Sequence, residues 1–278
     1  MSKLANRYRT ALITGASAGL GRAMAEMLLA EGVRVWGTAR DPERLPLRSG
    51  FTAVALDLDS EASVDAAFAA ADAGAGGLDL VVNNAGYGLF GTFVDRDFAE
   101  WQRQIEAMLV RPLRLSRRVL QAMLARNRGA LVNVSSLAVE FPLPFMSGYN
   151  VVKSGLAAFS ESLMIEVART DVIVIDFRPG DYRTGFNTMM QAISEKGSAP
   201  GPARAVRQQR AWSVLEANLQ AAPLPARAAA DLRRALLRHR SGTVRSGTFF
   251  QARLAPLLAR LVPLHLRRAV TARYFGCS

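Results

Sequence analysis

The chain has 278 residues, 50% of them apolar and 21% charged, with a formal net charge of +12. That is enough apolar material for one large α/β domain, and it excludes both a disordered chain and a small disulfide-stapled one. One cysteine, Cys277, and two histidines, His239 and His265, are too few for a structural zinc site, so no metal is expected.

Residues 11–14, Ala-Leu-Ile-Thr, read as a short buried strand entering a glycine-rich turn. Over residues 20–30, Leu20, Met24, Met27 and Leu28 keep helical spacing. Residues 33–38 and 53–56 give the second and third strands. Asp57 follows the third, and Ser60 is placed to cap a helix reaching about residue 71. A fourth strand, residues 78–82, ends at Asn83-Asn84-Ala85-Gly86. Residues 101–124 form a long helix that Pro112 is expected to kink. Residues 130–134 are the fifth strand, 147–169 another long helix, and 172–177 the sixth strand, followed by Arg178-Pro179-Gly180. Near-continuous apolar strands alternating with helices specify a doubly wound, mostly parallel Rossmann-type α/β sheet covered on both faces. The strongest breaker is residues 197–202. We place a dinucleotide-binding catalytic core at residues 1–190. A substrate lid and basic helical extension, residues 191–278, belong to the same domain.

Thr14-Gly15-Ala16-Ser17-Ala18-Gly19-Leu20-Gly21 sits between a strand and a helix. Backbone N–H groups there can approach a pyrophosphate, and the helix N-terminus favours its charge. At the end of the second strand Ala39 is followed by Arg40, with no acid before Asp41. A carboxylate there would bond a ribose 2′-hydroxyl, whereas a guanidinium suits a 2′-phosphate, so the expected cofactor is NADP(H). Tyr149 and Lys153 stand four residues apart and share a helix face. A free phenol, with a pKa of about 10, is a poor acid–base group near neutrality. A cation one turn away is expected to lower that value. Ser136, at the end of the fifth strand, can bond a substrate oxygen.

The Gly-x3-Gly-x-Gly turn, Asn83-Asn84-Ala85-Gly86, Ser136, Tyr149-x3-Lys153 and Pro179-Gly180 together closely resemble the short-chain dehydrogenase/reductase family, over residues 10 to about 190. The resemblance implies a nicotinamide cofactor across the carboxyl edge of the sheet. Gly15, Gly19 and Gly21 would hold the pyrophosphate, with Ser17 near the adenosine ribose or phosphate and Leu20 at the helix start. Asp57 would meet the adenine amino group, and Asn83, Ala85 and Gly86 would line the ribose side. Pro179, Gly180, Tyr182 and Thr184 match the segment that holds the nicotinamide amide. Ser136, Tyr149 and Lys153 would be catalytic, with Tyr149 protonating the carbonyl oxygen as hydride reaches the carbon.

One departure stands out: Met108 occupies the place where the family usually has an asparagine that organises a water leading to the lysine. A thioether accepts weakly and cannot donate. Either the proton path is rebuilt locally, or turnover is slow, or the protein is a non-catalytic nucleotide-binding sensor or pathway scaffold. A further reading keeps the cofactor but dehydrates or epimerises through transient oxidation. Family members commonly form homo-oligomers through two long helices, but here one of them carries Arg111, Arg114, Arg117 and Arg118.

Apolar residues crowd the loops around the expected hydride site: Leu89 and Phe90, then Leu137, Val139, Phe141, Leu143, Phe145 and Met146, then Phe186, Met189 and Met190. They suit a small lipophilic substrate or, alternatively, a core beneath the loops. Residues 1–203 carry 21 basic and 21 acidic side chains, so the whole excess charge lies in residues 204–278, with 14 arginines against Glu216 and Asp231. In the tail, Leu254, Leu257, Leu258, Leu261 and Leu264 keep helical spacing, while Arg253, Arg260 and Arg267 recur every seven residues. Such a segment could dock on the domain or lie peripherally on an acidic membrane. Nucleic acid is the poorer partner, because no aromatic residues interleave with the charge. No apolar run approaches the roughly 20 residues that cross a bilayer, and residues 1–9 lack a signal-peptide pattern, so a cytoplasmic location is expected.

Overall fold

Strand β1 (Thr10–Ile13) is flanked by β2 (Arg34–Ala39) and β4 (Leu80–Asn83). Outside these lie β3 (Phe51–Ala55) on one side and β5 (Gly129–Val134), β6 (Val172–Pro179) and β7 (Gly242–Ser246) on the other. Every pairing is parallel, in the order β3-β2-β1-β4-β5-β6-β7. The computed structural model describes residues 4–46, 48–194 and 201–277. Most of the breaker at 197–202 therefore lies outside the described residues.

The two faces of the sheet follow strand parity. Ala11, Ile13, Leu80, Val82, Ala130, Val132, Ile173 and Ile175 pack on one side against α1 (Gly19–Ala30) and α8 (Pro225–Arg238). Leu12, Val81, Leu131 and Val174 pack on the other against α2 (Glu61–Ala75), α4 (Arg111–Ala125) and α5 (Ser147–Glu166). Ser60 caps α2 by accepting the Ser63 N–H at 3.2 Å, and Gly76 closes that helix in the left-handed region, at φ 67°. The result is a single Rossmann-type domain.

Two elements differ from the expectation. The long helix over 101–124 is divided into α3 (Phe98–Ile105), a π-turn over Glu106–Val110, and α4. The Arg111 N–H reaches back five residues to the Glu106 carbonyl, and Pro112, which has no N–H to give, sits in the first turn of α4. The basic tail is not wholly helical either, since it supplies β7 beside β6. Thr243 and Val244 between Gly242 and Gly247 were the available strand signal. The remaining helices are α6 (Phe186–Ser194), α7 (Pro202–Gln220), α9 (Ala255–Leu261), which a second π-turn over Phe250–Leu254 precedes, and α10 (Leu264–Tyr274). Three of the four arginines of α4 are met within the chain: Arg111 and Arg114 pair with Glu61, and Arg114 and Arg118 with Asp65, both carboxylates on α2.

Candidate active site

The strand order reverses between β1 and β4, and in such sheets ligands bind outside the carboxyl ends of the strands at that point. A cleft of roughly 1980 Å³ opens there. Pockets for one small ligand run to about 1,000 Å³, so this cleft has room for a dinucleotide and a second molecule together. Gly15, Ser17, Gly19, Leu20, Arg40, Asp57, Ala85, Gly86, Ser136, Tyr149, Lys153, Pro179, Gly180, Tyr182 and Thr184 all line it.

Two expected residues do not line it. Gly21 lies beneath the turn, where a Cβ would come 2.1 Å from the Gly15 carbonyl oxygen, so glycine is required for packing. Asn83 follows the parity of Val81 and turns away from the cleft. Its amide donates to Ser116 Oγ at 2.9 Å and to Asn133 Oδ1 at 2.8 Å, tying β4 to α4 and β5. Its neighbour Asn84 lines the cleft instead, and its side chain donates to the Thr14 and Gly15 carbonyls.

The glycine turn is built for close approach. Gly15 has φ +70°, and a Cβ on it would stand 2.9 Å from Ala85 Cα. Helix α1 begins at Gly19, and Ala18 offers no side-chain cap, which leaves its first N–H groups free to meet an anion. Thr184 lies against this turn, 3.3 Å from where a Gly19 Cβ would be. Tyr182 is held by a 2.6 Å hydrogen bond between its hydroxyl and Ser246 Oγ, and the Gly180 N–H donates to the Ser246 carbonyl at 2.7 Å. Strand β7 therefore anchors the Pro179–Thr184 segment. The cradle and its donors fit a dinucleotide.

Arg40 stands exposed at the end of β2, and Arg44, which sequence reasoning passed over, lines the same part of the cleft. The Asp41 carboxylate accepts the Glu43 N–H at 3.1 Å to cap the turn Pro42–Arg44.

Ser136 opens the turn Leu137–Val139, its Oγ accepting the Ala138 N–H at 3.1 Å. Tyr149 and Lys153 project from the first turns of α5, and Lys153 Nζ lies 5.6 Å from the centre of the Tyr149 ring. Lys153 Nζ donates to the Val134 carbonyl at 2.7 Å. Burial pulls the Lys153 pKa down to about 8, partly opposed by the Asp176 carboxylate. The expected lowering of Tyr149 is not found. Burial pushes its phenol up to about 12, Asp181 adds to the rise, and only the Ser136 hydrogen bond opposes it. Desolvation of a phenolate outweighs that hydrogen bond here.

Around these residues lies a buried ionic network that no local sequence pattern announced. Arg178 donates to Asp176 at 2.6 Å and to Glu140 at 3.2 Å, and Arg245 reaches Glu140 at 2.5 Å. Ser135 donates to the other Asp176 oxygen. The network clamps the turn after Ser136 to the ends of β6 and β7. Met108, in the π-turn, is buried; its Sδ accepts the Tyr87 N–H at 3.3 Å, and its Cε lies 2.7 Å from where a Gly86 Cβ would be. It packs, and it cannot donate a proton.

Of the apolar loop residues, Leu89, Leu137, Phe141, Leu143, Met146, Phe186, Met189 and Met190 line the cleft. Phe90 and Phe145 pack instead into a cluster with Trp212. Sequence reasoning missed Asp181, Leu215, Leu219, Phe250 and Gln251, which also line it. Gln251 donates to Asp181 at 2.6 Å, and burial raises the Asp181 pKa.

Residues 9–195 match the short chain dehydrogenase family. The chain belongs to that family. This short chain dehydrogenase is 32% identical over 193 residues to a 3-oxoacyl-(acyl-carrier-protein) reductase of Vibrio cholerae, a match covering 68% of this chain and 78% of the relative. Its fold matches a short-chain dehydrogenase from Streptomyces avermitilis with a TM-score of 0.78 and 30% identity, covering 96% of both chains. It also matches a 3-ketoacyl-(acyl-carrier-protein) reductase from Brucella melitensis, complexed with NADH. There the TM-score is 0.61 and the identity 28%, over 66% of this chain and 80% of that one. The family is one of oxidoreductases that act on CH–OH and C=O groups with NAD(P), and this chain is one of them. Among the described residues no helix is long and apolar enough to cross a membrane, and no group of metal-ligating side chains is present.

Proposed function

We propose that this protein is an NADP(H)-dependent oxidoreductase that interconverts a lipophilic ketone or aldehyde and its alcohol. The observation that carries this reading is the meeting of Ser136, Tyr149 and Lys153 in the cleft that also holds the glycine turn. The same meeting weighs against a non-catalytic scaffold. The free N–H groups of α1 would hold the pyrophosphate, and Arg40 with Arg44 would meet a 2′-phosphate. Tyr182 and Thr184 would orient the nicotinamide amide. The bound cofactor supplies the hydride that reduces a carbonyl carbon, or accepts it in reverse.

The chain's own residues manage the oxygen and its proton. A phenol near 12 is protonated at neutral pH, and an alkoxide is a much stronger base than a phenolate. The proton on Tyr149 Oη therefore passes to the substrate oxygen as charge develops there. Ser136 Oγ donates a second hydrogen bond to that oxygen. The Lys153 ammonium, largely charged below about pH 8, stabilises the phenolate left behind. Leu137, Phe141, Leu143, Phe186 and Met189 supply apolar walls for the rest of the substrate. The Vibrio relative's name, a reductase of 3-oxoacyl groups, supports a ketone as the reduced group.

The test is NADPH absorbance followed against ketones of increasing chain length. Consumption that rises with apolar length and is faster than with NADH agrees with the proposal. Consumption confined to short polar carbonyls contradicts the lipophilic assignment, and equal use of NADH contradicts the role of Arg40.

A further inference from the structure

The end of the chain presents an apolar surface that the domain does not use. Phe249 is 73% exposed and Leu261 75%, and Leu257, Leu264 and Leu266 are about half exposed. These side chains lie on or beside α9 and α10, which are nevertheless fixed to the domain. Phe275 and Cys277 are buried with Ala211 and Leu215 of α7, and Arg207 donates to the Cys277 carbonyl at 2.5 Å. Large apolar side chains left exposed on an anchored segment mark an interaction surface.

The charge of this segment is of one sign. Residues 247–278 hold five arginines and no aspartate or glutamate. Four of the nine arginines at 204–246 meet a carboxylate, Arg204 with Asp95, Arg233 with Glu31, Arg234 with Asp231 and Arg245 with Glu140. Arg253, Arg268 and Arg273 are exposed, and among the described residues no carboxylate pairs with them. The occupant of this surface must therefore accept apolar side chains and bring negative charge. A second copy related by a twofold axis would bring the same unpaired arginines face to face. An anionic bilayer interface supplies both requirements at once.

We propose that α9, α10 and the turn before them dock the protein peripherally on an anionic membrane. The cleft adds an independent observation, because Phe250, Ala255, Val270 and Tyr274 from these elements line it. The docking surface thus borders the mouth of the cleft, and a lipophilic ligand dissolved in the bilayer would reach the cleft without crossing water. The docking itself stands whether or not the cleft turns over a carbonyl.

The experiment is co-sedimentation of the full chain with vesicles of phosphatidylcholine alone and with about one-third phosphatidylglycerol. The protein is expected to pellet with the anionic vesicles, to remain in solution with the neutral ones, and to be released at about 0.5 M salt. Arg268→Ala with Arg273→Ala is expected to weaken partitioning roughly 25-fold, about fivefold for each charge. Leu261→Asp is expected to abolish it. Circular dichroism and NADPH affinity matching the parent chain would show that the variants stay folded with an intact cleft. Failure of the folded parent chain to pellet with anionic vesicles overturns the proposal, as does equal pelleting on neutral ones. A stable dimer dispersed by Leu261→Asp would also overturn it, assigning the surface to a second copy.

Discussion

Replacing Tyr149 with phenylalanine deletes one hydroxyl and little else. The ring keeps its edge contact with Phe186, with centroids 6.1 Å apart, and its place 5.6 Å from Lys153 Nζ. The hydroxyl gives up a hydrogen bond with Ser136, worth about 1 kcal/mol net, and part of that returns because a buried polar group is removed. The variant should therefore melt within a few degrees of the parent and bind NADPH within about twofold of it. Catalysis should respond differently. A positioned general acid contributes roughly 10²–10⁴ in rate, about 2.7–5.5 kcal/mol of barrier. NADPH consumption with a saturating ketone should fall by that factor at unchanged cofactor affinity. A folded Tyr149→Phe chain that keeps more than about a tenth of the parent rate would refute the role given to the phenol.

Three further outcomes follow from the site. Arg40→Ser should raise the Kd for NADPH roughly tenfold by calorimetry, because a charge-assisted contact is lost at an exposed position, while NADH is unaffected. The reductive rate should decline as pH rises through about 8. The Lys153 pKa is lowered by burial, so the ammonium is present below that value and lost above it; a pH–rate profile flat from 6 to about 10, the ordinary lysine range, would contradict this. Asp176→Asn removes the carboxylate that props the Lys153 pKa up, so the alkaline limb should move to lower pH. It also leaves Arg178 with Glu140 alone, at a cost of about 3 kcal/mol in chemical denaturation.

Much of this arrangement was legible in the sequence because local chemistry writes it there. The glycine turn shows as spacing, and the Tyr149–Lys153 pair as one helical turn. The first six strands show as apolar runs punctuated by glycine and asparagine. What was not legible depends on tertiary neighbours. The direction of the Tyr149 shift is set by burial, which no spacing reports. Asn83 and Asn84 are adjacent and identical in type, and only the pleat at the end of β4 decides which one faces the cleft. Asp176, Arg178, Glu140 and Arg245 are spread over a hundred positions, and they meet because β5 and β7 lie on the two sides of β6. The tail read as helical because its arginines and leucines dominate the pattern, while β7 is only five residues long.

We propose that one cleft holds a nicotinamide dinucleotide, chosen by its 2′-phosphate, against Ser136, Tyr149 and Lys153. Calorimetric titration of the full chain with NADPH and then NADH tests it most directly. Tight NADPH binding with NADH weaker by about tenfold or more is the predicted result. Preference for NADH would contradict the part given to Arg40, and binding of neither nucleotide would contradict the claim itself.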